Sequence, residues 1–314
     1  MSLVGYWRRG IPASTTQSAV DPSTFWGTRK RWWRGHLSRS EYAWAVAFCV
    51  PYLTVFLALI VYPVGFALWM GSAPRLYSEL FADPYYRETL VNTALFVGVT
   101  VNLKMVLALF LSGYFMRGGW WVRVLMAVFM LPWAVPALPA FMSIHWMLNR
   151  DWGLVNNLIW DISGHHGPDW LGERWIALGV VIASDVWKSL PFWTLILLAG
   201  RIAIPPDLRE AAEVDGASGF RMFVHVTLPL IANLYLISTL LATIFAFGDF
   251  NTVYFVSGGG PAHSTDVLAT LSLLYTMSLF KPRLGVAAVL SAMPLMIPLV
   301  FMLMRKLQTS ETQL

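Results

Sequence analysis

Four charged side chains stand inside apolar stretches of this 314-residue chain: Lys104, Asp185, Lys188 and Asp249. An ionised group in such surroundings is costly, so it pairs, borders water or meets a ligand. Asp185 and Lys188 are three residues apart on one helix face, where opposite charges relieve each other. Ser189 and Pro191 follow, and the helix is expected to open there. Ala242, Ala246 and Asp249, at steps of four and three, fall on one stripe of a later apolar block. Lys104 either snorkels inward or pairs with Asp185 or Asp249. The chemistry on offer is recognition and charge compensation. Outside the apolar blocks there is no acid/base pair or activated nucleophile. The adjacent His165 and His166 form a poor chelate, so no metal site is expected. None of the five lysines (Lys30, Lys104, Lys188, Lys281, Lys306) follows a glycine. The chain therefore lacks the Gly-Lys-Ser/Thr of a phosphate-cradling loop, and the Gly258–Pro261 run reads as a turn.

Positioning such groups requires elements that cross a membrane. The chain is 57% hydrophobic and 12% charged, with mean hydropathy +0.59, whereas a soluble domain carries about 25% charged residues. Apolar blocks of 20 or more residues predict an all-α polytopic protein with six spans, near 43–70, 90–115, 121–148, 175–200, 230–256 and 284–304. Prolines recur within them, and "LPWAVPALPAF" is expected to kink the third. The first block follows a long polar segment, so it reads as a retained span and not a cleaved signal. The single Cys49 lies in that block and allows no internal disulfide.

Lys and Arg cluster before span one, after span two, around residues 201–221 and after span six. This asymmetry predicts that both termini and the 205–229 loop face the cytoplasm. The net charge of +5 then needs no nucleic-acid partner. The juxtamembrane "RKRWWRGHLSRSEY" reads as a segment holding anionic lipid headgroups. The expected organisation is a basic N-terminal segment (1–42), a first span with its external loop (43–87), a core of five spans (88–306) and a short tail (307–314).

Between spans four and five stands "EAAEVDGASGFRMFVHVTLP", residues 210–229. Its acids cannot lie in hydrocarbon. Pro205 and Pro206 end the preceding span, Asp207 suits an N-cap, and Glu210 three residues on completes a capping-box pattern. Ala211 and Ala212 propagate the helix, Asp215 follows, and Gly216 suits a left-handed C-terminal turn. A second short helix, 219–226, leads to Leu228-Pro229. Two alanines flanked by acids make a helix tip that can enter a partner's groove closely and offer carboxylates to its bases.

This stretch resembles the EAA loop of ABC importer permeases. Glu210, Ala211, Ala212, Gly216, Leu228 and Pro229 match, while Val226 stands where Ile is usual. "EVDGAS", "VWKSLPFWTLILLAG", "VNTALFV" and "FVSGGGPAHSTDVLATLSLLY" extend the likeness over about 89–306, toward the carbohydrate-importer branch and its maltose-type first permease. The resemblance implies the type I importer permease fold in a bacterial inner membrane. It implies a loop that docks in a cleft of an ATP-binding subunit and couples ATP hydrolysis to alternating access. It also implies a second, similar permease, two ATP-binding subunits that hold ATP and Mg, and a periplasmic or lipid-anchored solute-binding protein. This chain itself is then expected to bind no cofactor and to be no enzyme. Alignment on the motif places Trp187, Ser189, Phe192, Ala242, Ala246 and Asp249 along a sugar path near mid-membrane, and Asp185 and Lys188 join the candidates as charges inside a span. Aromatic faces beside a carboxylate suit a sugar. The same residues could instead pack helix on helix. A polyol or glycerol-phosphate importer, or a non-transporting scaffold or sensor, are the alternatives.

Overall fold

A computed structural model of the chain describes residues 44–311, so the expectations for the basic N-terminal segment and for residues 312–314 lie outside the described residues. Every regular element described is a helix, as composition required. The chain divides within its first helix, at Gly65–Phe66, into two units, and the core and site belong to the second.

Helix α1, Trp44–Met70, carries no charged residue and is long enough to span a bilayer. The short helix α2 (Pro74–Ala82) leads into the long core helix α3 (Pro84–Phe115). Asp83 joins them. One carboxylate oxygen accepts from the Tyr85 amide at 2.9 Å, an N-cap for α3, and the other accepts the Tyr275 hydroxyl at 2.7 Å.

The third predicted span is broken rather than kinked. Helices α4 (Trp120–Ala134) and α5 (Ala137–Met147) meet at 93°. Val135, before Pro136, is extended with ψ 136°, because a proline ring excludes the helical region from the residue preceding it. The amphipathic α6 (Leu154–Ser163) follows.

Helix α7 (Arg174–Ile202) continues unbroken past Pro191. The opening expected there does not occur. Pro191 is buried, and packed neighbours hold a proline within a span. The hydroxyls of Ser184, Ser189 and Thr194 each donate to the carbonyl four residues earlier, so they enter the apolar layer without an unmet donor.

After the loop helix α8 (Pro206–Val214), α9 runs from Phe220 to Phe247. Its wide π turn at Phe223–Thr227 stands just before Pro229, and an equivalent one at Leu57–Val61 stands before Pro63. In a regular helix each ring would meet the carbonyl four residues back, at His225 and Leu59; the wider turn relieves that clash. The predicted fifth span stops early. Gly248 leaves the helix, and α10 (Asn251–Val256) restarts after it. Helices α11 (Leu268–Ser278), α12 (Pro282–Leu290) and α13 (Met293–Glu311) complete the chain, with Pro282–Met302 forming the last spanning segment.

The core is α3 against α7, closed by α5, α9 and α10. Phe96, Val101, Met105, Val181, Trp193 and Leu197 are buried there. Lipid is as apolar as these side chains, so close van der Waals contact and buried polar bonds stabilise the bundle more than area burial does. Small residues permit that closeness. Ala108, Ala242 and Ala246 are buried at the centre, and a Cβ on Gly200 would meet Leu234 of α9 at 2.3 Å.

Candidate functional site

A cavity of about 510 Å³ opens between α3, the α4–α5 break, α7 and the α9–α10 break. Its charged residues are Lys104, Asp185 and Asp249. Lys104 Nζ donates to Asp185 Oδ2 at 3.0 Å, with both side chains largely buried. Thus α3, not α7 itself, supplies the partner of Asp185.

Lys188 does something else. Its ammonium donates to the carbonyls of Pro132 (2.7 Å), Trp133 (3.3 Å) and Val135. These belong to the C-terminus of α4, where carbonyls have no intrahelical partner and the dipole favours a cation. The expected pairing of Lys188 with Asp185 is therefore replaced by a cap on the broken span. Free carbonyls at a 93° break attract an ammonium that a continuous helix would not.

The break beyond α9 reorients Asp249. It does not extend the stripe of Ala242 and Ala246. It lies in the non-helical link, and its Oδ1 accepts from the Thr252 amide at 3.2 Å, tying it to the start of α10. Its Oδ2 is buried without a hydrogen-bond partner among the described residues. Gly248 interrupts the helix, and an aspartate that can cap the next one competes with helix continuation.

The aromatic wall comes from two elements. Trp133 of α4 and Phe192 of α7 lie nearly parallel, 14° apart, with centroids at 6.0 Å. Trp193 stands edge-on to Phe192. Of the predicted path, Asp185, Ser189, Phe192, Ala246 and Asp249 line the cavity. Trp187, Lys188 and Ala242 do not. Trp187 is 46% exposed on the outer side of α7, and Ala242 is packed in the core. A helix turns 100° per residue, so Trp187 and Ser189 cannot both face inward. Trp133, Phe141, Trp193, Asn251 and Thr252 also line the cavity, and sequence reasoning missed them. The three prolines of "LPWAVPALP" were the signal that the Trp133 segment would bend.

The wall beyond the cavity is fixed by Asn92, fully buried in α3. Its amide donates to the carbonyls of Ser264 (2.8 Å) and Asp266 (3.1 Å), and its oxygen accepts from Arg174 at 3.0 Å. The Gly-Gly-Gly-Pro turn packs here. A Cβ on Gly259, at φ +78°, would meet the Asp266 carboxylate. Burial raises the Asp266 carboxyl above its usual range, opposed by bonds from Thr270 and His263.

The loop hairpin presents the other predicted residues. Pro205, not Asp207, is the N-cap of α8, and no side chain caps it. The capping-box expectation fails because Pro206 occupies N1, which sets Asp207 in the first turn, where it still complements the dipole. The C-terminal expectation holds. Gly216 has φ +80°, Ala217 N bonds Ala212 O at 2.8 Å and Gly216 N bonds Glu213 O at 3.0 Å, the two bonds of a Schellman ending. Glu210, Ala211, Asp215 and Gly216 are exposed and Ala212 is half-buried. Leu208, Val214 and Phe220, all apolar, are exposed around them. Leu228 and Pro229 start the regular part of α9 after its π turn.

Residues 104–310 match the family described as "Binding-protein-dependent transport system inner membrane component". The chain is 34% identical over 244 residues to the trehalose/maltose transport system permease protein MalF of Thermococcus litoralis, covering 72% of this chain and 81% of that one. It is 29% identical over 289 residues to the sulfoquinovosyl glycerol transport system permease protein SmoG of Agrobacterium fabrum, covering 86% and 92%. Its backbone is similar to a chain of a bacterial ABC transporter involved in import of the acidic polysaccharide alginate, with TM-score 0.75 and 18% identity over 87% of this chain and 98% of that chain. With a family match across about two thirds of its length and a bundle of spanning helices to carry it, the chain belongs to the inner-membrane components of binding-protein-dependent transport systems and is the permease subunit of an ABC importer.

Proposed function

We propose that this permease passes a neutral sugar or short oligosaccharide through the cavity between α3, α7 and the two helix breaks. The observation that carries this reading is the Asp249 carboxylate oxygen, buried and unpartnered beside the parallel faces of Trp133 and Phe192. A sugar ring offers C–H faces to stack and hydroxyls to donate. Relatives named for trehalose, maltose and diacetylchitobiose support the sugar class. Two carboxylates and one ammonium border the cavity, a balance that disfavours a glycerol phosphate or another anion.

The rest of the machine follows from the same reading. The exposed hairpin of α8 docks on an ATP-binding subunit. Two such subunits hold ATP and Mg and supply the hydrolysis, so this chain is no enzyme. A second permease and an external solute-binding protein complete the importer. The solved alginate transporter in complex with its pentasaccharide-bound periplasmic protein supports that last partner. Both termini and the hairpin face the cytoplasm.

The test is uptake of a panel of labelled neutral and anionic sugars by the complete complex in proteoliposomes. Asp249→Asn is expected to cut uptake of the neutral substrate about tenfold or more, as loss of a charged hydrogen bond does, and Phe192→Ala to lower it by removing a stacking face. Basal ATP hydrolysis should persist. Undiminished uptake in both variants would remove the cavity from the transport path.

A further inference from the structure

A second cavity, of about 200 Å³, lies at the root of the loop hairpin, far along α3 and α7 from the first. Arg201, Arg209, Met116, Ile204, Phe223 and Thr227 line it, and no carboxylate does. Arg201, in the last turn of α7, is only 9% exposed. Its Nε donates to Ser112 Oγ at 2.9 Å, its Nη2 to the Leu109 carbonyl at 2.8 Å, and its guanidinium lies 5.3 Å over the Phe223 ring. Every one of these partners is neutral. Arg209 Nε is buried with no hydrogen-bond partner among the described residues. Neither arginine forms an ion pair among the described residues.

A guanidinium cannot relieve burial by losing its proton. Buried charges are, as a rule, paired. The buried Arg201 guanidinium and the buried Arg209 Nε share one cavity with no counter-charge among the described residues, an arrangement that suits an anion from elsewhere. Their planar donor sets match phosphate oxygens. The depth agrees: α3 ends at Phe115, α7 at Ile202, and α9 begins at Phe220, so the cavity sits at the edge of the apolar layer. We infer that Arg201 and Arg209 form a phosphate-binding site that ties the loop hairpin to the ends of α3 and α7. The phosphate comes from an anionic lipid headgroup or from a free phosphate. In either case its binding stiffens the hairpin through which ATP hydrolysis would act.

The two sources separate in one experiment on the purified full chain. Native mass spectrometry compares retention of phosphatidylglycerol and phosphatidylcholine of the same acyl chains. Thermal unfolding compares inorganic phosphate with chloride at matched ionic strength. The wild type is expected to retain phosphatidylglycerol about tenfold better, or to melt higher in phosphate, since a charged hydrogen bond is worth roughly a tenfold change or more. Arg209→Gln and Arg201→Leu should abolish the preference, and Arg209→Lys should keep part of it. Preference in the lipid arm alone assigns the headgroup, and in the phosphate arm alone a free phosphate. Arg209→Gln changes a half-buried side chain, so it decides the matter even if Arg201→Leu does not fold. If neither arm depends on Arg209, the site is a socket for something other than phosphate and the inference is overturned.

Discussion

Lys104 and Asp185 are the residues on which the centre of the molecule depends. They meet at 3.0 Å between the two most closely packed helices. Removing one member of a buried pair leaves an uncompensated charge, at a cost of about 3–5 kcal/mol. Lys104→Met should therefore strongly lower the thermal stability of the detergent-purified protein. The double variant with Asp185→Asn should recover most of the loss, as neutral replacements of buried pairs often do. Equal melting temperatures for the single and double variants would show that the pair is not coupled. Lys188, a neighbour on the same helix, has an unrelated role as the cap of α4, although its charge and spacing gave no hint of that. For Lys104 the sequence offered Asp185 and Asp249 without choosing, and for Lys188 it offered the wrong partner, because the true partners lie on elements 50 or more residues away.

Among the elements, the two breaks and the hairpin matter most. The breaks at Val135–Pro136 and Gly248–Phe250 place an aromatic wall and a carboxylate at the cavity. Both are consequences of backbone chemistry, proline in one case and glycine followed by a capping aspartate in the other. The hairpin depends on Gly216, whose φ of +80° costs a residue with a Cβ roughly 1–2 kcal/mol. Open space surrounds that position, so the effect of Gly216→Val is strain alone. The variant should insert normally but bind the ATP-binding subunit more weakly, and Gly216→Asn should do less harm because Asn tolerates this region. Co-purification of the subunits measures both. Equal recovery of Gly, Val and Asn forms would remove the left-handed turn from the docking surface. The motif and its terminal glycine were legible in sequence. The N-cap was misread because Pro206 competes with Asp207 for the first helical turn.

At the scale of the whole molecule, spanning helices determine which surfaces each side of the membrane can reach. In a Cys49→Ser background, an impermeant maleimide added outside sealed cells should label His165→Cys and leave Val214→Cys unlabelled until the cells are opened. Both positions are exposed, so access and not burial sets the result. Labelling of Val214→Cys from outside would reverse the orientation and with it the docking of the ATP-binding subunit.

Length and apolarity by themselves determined that this is a multi-pass all-α protein, since backbone groups in lipid are satisfied only within helices or closed barrels. The residue order of the 210–229 stretch determined the helical hairpin and its left-handed glycine, because those signals are local. Which groups border the cavity was decided only by the tertiary structure. Trp187 and Ser189 are two residues apart yet face opposite ways, and Trp133 and Asp249 are 116 apart yet line one cavity. Periodicity orients a side chain about its own helix axis, while the rotation of each helix against its neighbours and the angle of each break arise from packing between distant segments.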